Sequence, residues 1–306
     1  MKNWKEICSL SLVHFMAFPE MQGGEGDFVA SVEALGKLAF FDALEVSFIN
    51  DSRTRVDFIK AAHENGFKLG WGAQPLILGQ GIDLNSLDAE TLDRSMTKIE
   101  AALNQAAMIH AESFVLLSGK DPGAARRAQA YAVLADSLQV LGNYAKKLGI
   151  RLVLEIFDRS VDKCALVGPA AEAKVLAEEV QKGYPEFGLL YDMGHMPLLG
   201  ETPEQALPLL KDHLAEVHLG NCVKSSFLEA YGDKHPRFDY PGGVNGTPEL
   251  VHFLKCLFQI GYLKEIPDSE SLPWVGFEIR PQAGETTDQI LDNIQQTWKN
   301  TWSQLA

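Results

Sequence analysis

Residues 134–157 read LADSLQVLGNYAKKLGIRLVLEIF and contain a helical pattern followed at once by a strand pattern. Between Leu134 and Leu148, leucine or alanine recurs at intervals of three and four residues, which is the apolar stripe of an amphipathic helix. Gly149 then provides the left-handed residue that ends many helices. The continuous apolar run Leu152–Leu154 is typical of a parallel strand that is covered on both faces. The stretch therefore predicts one helix–strand unit of a parallel α/β fold.

The same alternation of apolar runs and helix-period segments occurs eight times along the 306-residue chain. The strand candidates are residues 6–16, 43–48, 68–75, 113–119, 151–157, 187–193, 214–220 and 274–280. Eight units of about 38 residues each fit a closed (β/α)8 barrel, or TIM barrel, with some long loops. We therefore predict an α/β fold with a single TIM-barrel domain over residues 1–306.

A doubly wound open sheet is the alternative arrangement of such units. It typically carries a glycine-rich phosphate loop directly after the first strand. The glycines of residues 23–26 (GGEG) lie several residues beyond the first strand and match neither common phosphate-loop pattern. The barrel is therefore favoured.

The composition limits the partners and the compartment. The chain has 41 acidic and 27 basic side chains and a net charge of −14, which disfavours a nucleic-acid partner. The apolar run Ile7–Phe18 is interrupted by His14 and lacks a small-residue cleavage site, so it indicates a buried strand rather than a signal peptide. No stretch approaches the ~20 apolar residues of a membrane span. The four cysteines form no CxxC pair and suit a reducing compartment. We expect a cytoplasmic protein, with homo-oligomer formation left open.

Polar residues flanked by apolar neighbours end four consecutive strands. They are Glu155 in LEI, Asp192 in YDM, His218 in VHL and Glu278 in FEI. Because the carboxyl ends of barrel strands meet at one mouth, we expect these side chains to converge. Three buried carboxylates require a compensating cation. Oxygen-rich ligation with one imidazole indicates one divalent ion, Mn²⁺ in our prediction, with Mg²⁺, Co²⁺ or Zn²⁺ as alternatives. The other interpretation is that each residue pairs with an arginine or lysine at the mouth.

This order of residues resembles the xylose isomerase-like barrels. That superfamily includes ketohexose 3-epimerases, hydroxypyruvate isomerase, inosose dehydratase and endonuclease type IV. The resemblance implies that Glu155, Asp192, His218 and Glu278 bind one divalent ion. It also implies that His195, three residues after Asp192, contacts the substrate.

Two positions depart from the epimerase pattern. Lys224 stands where the epimerases have an arginine, six residues after the metal-binding histidine, so a cation is kept without the planar guanidinium. Val161 stands where they have a second glutamate, six residues after the first ligand. Asp158 and Asp162 are the candidates to replace that carboxylate.

The connection after the seventh strand, residues 221–246, is much longer than the usual βα loop of about 2–6 residues. It contains the segment GDKHPRF, residues 232–238, which resembles the metal-dependent catalytic subunits of bacterial C-glycoside deglycosidases. We expect this loop to cover the active site and to bind substrate through Lys224, His235 and Arg237. An ordinary solvated insertion is the alternative.

Two further residues are candidates for substrate contact. His14 lies at the end of the first predicted strand, and Trp71 lies near the end of the third, where an aromatic ring can stack on a sugar. Each has a plain structural alternative as a core residue.

The leading functional hypothesis is a metal-dependent isomerase or epimerase of a small sugar or keto-sugar. The metal would stabilise an enediolate, and Glu155 or Glu278 would move the proton. The alternative enzyme is a carbon–oxygen or carbon–carbon lyase of the inosose dehydratase or C-glycoside deglycosidase type, which forms the same enolate and expels a group. A nuclease is disfavoured, because we recognise neither a basic groove nor additional histidine ligands. A sugar-binding protein without catalytic activity is the non-enzymatic alternative.

Overall fold

The protein is described by a computed structural model that covers residues 3–265 and 271–305. Its strands, labelled β1 to β8 in chain order, are Ser9–Val13, Ala43–Val46, Lys68–Gly72, Ser113–Leu116, Arg151–Ile156, Gly188–Asp192, Leu214–Gly220 and Trp274–Glu278. All are parallel, and they close into a barrel in sequence order because β1 pairs with both β2 and β8. The prediction of a single (β/α)8 barrel is confirmed.

The α-helices of the described residues, labelled α1 to α11, are His14–Ala17, Phe28–Leu38, Ser52–Glu64, Gln74–Gln80, Ala89–Met108, Ala124–Lys147, Ala170–Gln181, Met196–Leu199, Pro203–Leu210, Thr247–Gln259 and Thr287–Ser303. Aspartates cap three of them: the carboxylates of Asp27, Asp51 and Asp88 accept from backbone amides in the first turns of α2, α3 and α5. Gly149, which was predicted to end α6, has the expected positive φ of 75°. None of the described helices is long and apolar enough to cross a membrane.

The strand alternation decides which side chains enter the barrel. Val115, Val153 and Leu190 form a small apolar cluster of their own inside it. The intervening residues, such as Leu152 and Leu154, belong instead to the large core between strands and helices. Glu155 follows Val153 by two residues, so its side chain points into the barrel as that of Val153 does. The metal-ligand candidates are thus directed inward by the strands themselves.

Seven of the predicted strands are longer than the observed ones, most clearly β1, whereas β7 has its predicted bounds, Leu214–Gly220. Residues 6–16 were predicted as a strand, whereas β1 is Ser9–Val13. The next four residues, His14–Ala17, form the short helix α1, although they are as apolar and as buried as the strand. Apolar character alone therefore did not reveal where the strand ended.

Candidate metal centre

Four side chains on β5 to β8 meet inside the carboxyl end of the barrel. Glu155, Asp192, His218 and Glu278 each offer one ligand atom, and these atoms all lie within 4.8 Å of one another. All four residues are buried. Nδ1 of His218 lies 2.9 Å from Glu278 Oε2, 3.9 Å from Glu155 Oε1 and 4.0 Å from Asp192 Oδ2. The structure thus brings together the four residues that the sequence singled out.

The donor set fits a divalent cation. Glu155 Oε1 and Asp192 Oδ2 are buried and have no hydrogen-bond partner. A buried carboxylate oxygen without a partner is costly, and here two such oxygens face the same histidine nitrogen. Three carboxylates and one imidazole form the oxygen-rich set that Mn²⁺ or Mg²⁺ prefers.

The pKa shifts reflect this crowding of charge in the metal-free protein. Burial, reinforced by the charge of Glu278, raises the pKa of Glu155 to about 8. Burial alone would lower the pKa of His218, but Glu45 and Glu278 raise it well above the ordinary value. Without a cation, protons on these groups therefore balance part of the negative charge.

Gln74, at the start of α4, fixes the orientation of Glu155. Its Nε2 donates to Glu155 Oε2 over 2.7 Å. The other carboxylate oxygen, Oε1, is the one that faces His218 and has no hydrogen-bond partner. The amide therefore holds one oxygen of Glu155 and leaves the second directed at the site.

A second polar group lies beside the first and includes the long loop. Asp233 Oδ1 lies 3.1 Å from His195 Nε2 and 2.7 Å from His235 Nε2. The Nδ1 atoms of the two histidines lie at hydrogen-bond distance from backbone carbonyls, of Ile156 for His195 and of Glu278 for His235. Since a carbonyl can only accept, each Nδ1 carries a proton and each Nε2 faces Asp233.

Charge pairing dominates this second group. Burial would lower the pKa of His235, but Asp233 and Glu278 raise it to about 9. Burial would raise the pKa of Asp233, but His195 and His235 hold it well below the ordinary value. Lys163 adds a third cation, because its Nζ lies 2.7 Å from Asp233 Oδ2.

The structure brings two histidines close to Asp192, whereas the sequence analysis recognised no histidine ligand beyond His218. Asp192, His195 and His235 form another buried set whose ligand atoms lie within 4.8 Å of one another. Asp233, which orders the two histidines, was missed. The signal in the sequence was its place in GDKHPRF, a segment in which only the basic residues were predicted to bind substrate.

A cavity of about 410 Å³ opens above these groups. Its polar lining includes Gln74, Lys163, Asp233, His235, Glu278 and Arg280. Its apolar lining includes Phe15, Met16, Pro75, Leu78 and Phe157. The cavity therefore places a carboxylate of the first group and a histidine of the second within reach of a small polar ligand.

The loop 221–246 is ordered by Asn221 and contributes only part of what was expected. Asn221 Oδ1 accepts from the backbone amides of Val244 and Asn245, and its Nδ2 donates to the Arg237 carbonyl. His235 reaches the cavity. Lys224 is exposed at the start of the loop and is not among the described residues that line the cavity.

Arg237 is held on the outer side of the loop. Its Nε donates to Glu285 Oε1 over 2.9 Å, and its guanidinium lies 5.8 Å from the ring centre of Tyr240. It is likewise not among the described cavity-lining residues. Of the expected substrate cations only His235 lines the cavity, and Lys163, Lys234 and Arg280 stand there in place of Lys224 and Arg237.

His14 and Trp71 both face the helices. His14 Nε2 lies 2.8 Å from Ser31 Oγ, and its ring stacks on Phe18. Trp71 has the phase of Leu69, stacks on Phe114 and is buried in the outer core. Trp71 follows the outward phase of β3, and His14 lies in α1 with its ring against α2, so neither is among the described residues that line the cavity.

The two aspartates that were candidates to replace the missing glutamate have other contacts. Asp158 is buried and accepts from the backbone amides of Val161, Asp162 and Lys163, so it shapes its own loop. Asp162 lies 3.2 Å from Lys234 Nζ and accepts from the Asp233 amide. Neither is among the described residues that line the cavity.

Fold and site together define a (β/α)8-barrel protein with a buried carboxylate–histidine centre at the carboxyl end of its strands. The chain belongs to the xylose isomerase-like TIM barrel family, whose model matches residues 30–264. A comparison with curated protein sequences gave no match.

Solved structures with the same fold include enzymes with different activities. A D-psicose 3-epimerase from Clostridium cellulolyticum H10 has a TM-score of 0.68 at 16% identity, with 97% of this chain and 99% of that chain covered. A 3-keto-D-glucoside 4-epimerase from E. coli has a TM-score of 0.65 at 17% identity, covering 95% and 98%. An AP endonuclease of family 2 from Brucella melitensis has a TM-score of 0.66 at 14% identity, covering 92% and 95%. At these identities the likeness shows the fold.

Proposed function

We propose that the protein is a divalent-metal-dependent isomerase or epimerase of a small sugar or keto-sugar. The observation that carries the proposal is the meeting of Glu155, Asp192, His218 and Glu278, with two partnerless carboxylate oxygens, beneath a cavity. The epimerases among the solved structures with the same fold support the choice of substrate class. We propose Mn²⁺ as the cation, because the donor set is rich in oxygen. The four free cysteines support a cytoplasmic location.

The cation would be held by Glu155, Asp192, His218 and Glu278. When bound, it supplies Lewis-acid polarisation of a substrate carbonyl and its neighbouring hydroxyl, which acidifies the C–H between them. The remaining steps belong to the side chains. Glu278 lines the cavity, and Glu155 lies directly behind Gln74, so both carboxylates are candidates to take that proton.

The carbon and the face to which the proton is returned decide the product. Proton removal gives an enediolate, and delivery to the opposite face of the same carbon gives an epimer. Delivery to the neighbouring carbon exchanges the aldose and ketose.

The second polar group is suited to hold substrate hydroxyls. His235 and Lys163 line the cavity and are oriented by the buried carboxylate of Asp233. His195 lies directly behind Asp233. Charged donors held in fixed positions orient a polyhydroxylated substrate and hold the reacting carbon near the carboxylates.

The lyase remains the second candidate because the GDKHPRF segment contributes to the site through Asp233 and His235. An enolate formed beside a keto group can expel a substituent on the next carbon, with the leaving group taking a proton from an acid. His235 carries an additional proton in the metal-free protein and lies in the cavity. It is therefore the candidate for that acid.

The test is incubation with Mn²⁺ in D₂O with two substrate panels, free ketoses and 3-keto-glycosides. An isomerase or epimerase incorporates deuterium next to the carbonyl and releases no aglycone. A lyase gives an unsaturated sugar or free aglycone. Glu278→Gln is the matched variant, because the amide keeps an oxygen but cannot accept the proton. Exchange that is equally fast in wild type and in both the Glu278→Gln and Glu155→Gln variants would contradict the proposal.

A further inference from the structure

Glu45 lies below the four candidate ligands and contacts one of them from the far side. It is on β2, is 1% exposed, and precedes His218 by 173 residues. His218 Nε2 donates to Glu45 Oε2 over 2.9 Å. Ser11 Oγ donates to the other oxygen, Glu45 Oε1, over 2.7 Å. Both oxygens of a fully buried carboxylate are therefore satisfied, one of them by the imidazole.

This contact crosses the barrel. β2, which carries Glu45, and β7, which carries His218, are separated by β1 and β8. Gly276 on β8 pairs in register with both Ser11 and His218. A Cβ atom at this position would lie 2.6 Å from His218 Cδ2, 2.8 Å from Glu45 Oε1 and 2.8 Å from Ser11 Oγ. The missing side chain of Gly276 is what leaves room for the three groups to meet.

Because of this contact, the two nitrogens of His218 face different carboxylates. Nδ1 faces the carboxylates of Glu155, Asp192 and Glu278, with the shortest distance 2.9 Å. Nε2 faces Glu45 at hydrogen-bond distance. Because each nitrogen lies 2.9 Å from a carboxylate oxygen, both carry protons in the metal-free protein. For a cation to bind, Nδ1 must lose its proton, while Glu45 keeps the proton on Nε2 and thereby leaves Nδ1 as the ligand atom.

We propose that Glu45 is the positioning residue of the metal centre, holding the ring angle and the tautomer of His218 so that Nδ1 is presented to the cation. The proposal rests on the divalent-metal site proposed above. Carboxylates behind metal-binding histidines orient the ring and increase its basicity. Ser11 supports Glu45 in turn, so that the contact reaches the metal centre from β1 through β2 and β7.

The first arm of the test is Mn²⁺ affinity, measured by EPR of free Mn²⁺ in wild type, Glu45→Gln and Ser11→Ala. We expect Glu45→Gln to weaken binding by about ten- to a hundredfold. Ser11→Ala removes one hydrogen bond to Glu45 and should weaken it by about fivefold. The matched control is Ser137→Ala, which removes a buried serine hydroxyl on α6 that donates to the Leu84 carbonyl and is not among the candidate ligand sets of the described residues. It should leave the affinity unchanged.

The second arm separates positioning from general stability. The Tm of each metal-free variant is measured, and nitrogen-15 NMR reports the histidine tautomers in the Mg²⁺-loaded protein. We expect wild type to show one His218 species with a proton on Nε2, and Glu45→Gln to show a mixture. If Glu45→Gln does not fold, the affinity, the Tm and the histidine tautomer are measured in Ser11→Ala alone.

The outcomes are distinguishable. If wild type binds no Mn²⁺, the proposed metal-dependent function fails and this inference fails with it. If wild type binds Mn²⁺ and the Glu45 or Ser11 variant binds it equally well, only the inference is overturned. A loss of affinity in Ser137→Ala equal to that in Ser11→Ala would also overturn it, because the effect would then belong to the loss of any buried hydrogen bond.

Discussion

Asp233 and His235 face each other across a single intervening residue, with Asp233 Oδ1 2.7 Å from His235 Nε2. The positive φ of His235, 49°, turns the chain so that both side chains enter the barrel mouth. His195, in the turn between β6 and α8, approaches the same oxygen at 3.1 Å. One carboxylate of the long loop therefore orders two histidines from different parts of the chain, and this has consequences for pH dependence.

The metal-free protein should lose stability as the pH rises from 7 to 10. The folded pKa of His235 is raised from 6.5 to about 9, so the charged histidine stabilises the fold fully below pH 6.5 and this contribution is lost through pH 9. The raised pKa of Glu155, about 8, acts with the same sign. Asp233→Asn should flatten the curve of Tm against pH, measured by calorimetry in EDTA. An unchanged slope in that variant would show that the pairing does not set the pKa of His235.

Metal affinity should depend on pH with the opposite sign. In the metal-free protein, Glu155 and His218 hold protons because their pKa values are raised. A cation must displace these protons, so the affinity for Mn²⁺ should increase by about tenfold per pH unit for each proton released. Isothermal titration between pH 6 and 8, in two buffers of different ionisation enthalpy, counts the protons. Binding without proton release would argue against Glu155 and His218 as ligands.

Gln74→Leu should reduce catalysis while the fold is retained. The substitution leaves Glu155 Oε2 without its donor, and losing a hydrogen bond to a charged group costs about 1.5–3 kcal/mol, or about ten- to a hundredfold in kcat/KM. Gln80→Leu, at the exposed end of the same helix, is the control. Equal kinetics of the two variants would mean that Gln74 does not orient Glu155.

Two arginines should respond differently to truncation. Arg237 pairs with Glu285 on the outer side of the loop, so Arg237→Ala should lower stability by roughly 1 kcal/mol and leave KM unchanged. Arg280 lines the cavity, so Arg280→Ala should raise KM with little change in Tm. Steady-state kinetics with thermal melts measures both. The reverse result would restore the substrate role that the sequence analysis gave to Arg237.

The barrel could be predicted because its signals are periodic. Apolar strands such as Leu152–Leu154 and stripes such as that of α6 repeat along the whole chain. The four candidate ligands could be predicted for a related reason. A charged residue inside an apolar strand, such as Glu155 in LEI, must be buried, and the fold sends all strand ends to one place.

The other site residues depended on which face of a strand a side chain lies on and on the geometry of loops. Trp71 lies on the outward phase of β3 and His14 lies in the short helix α1, and the predicted strand boundaries were too coarse to decide either position. Asp233 lies in a loop, where the sequence has no helix or strand periodicity that could indicate the direction of a side chain. Glu45 was missed although LEV on β2 has the same pattern as LEI on β5.

The most direct test of the central claim is anomalous diffraction at the manganese edge from crystals soaked in Mn²⁺. We predict a peak enclosed by the carboxylates of Glu155, Asp192 and Glu278 and by Nδ1 of His218, and its loss in Asp192→Ala. Full occupancy of Mn²⁺ elsewhere in the molecule with no peak among these four residues, or the absence of any peak with excess Mn²⁺, would contradict the account.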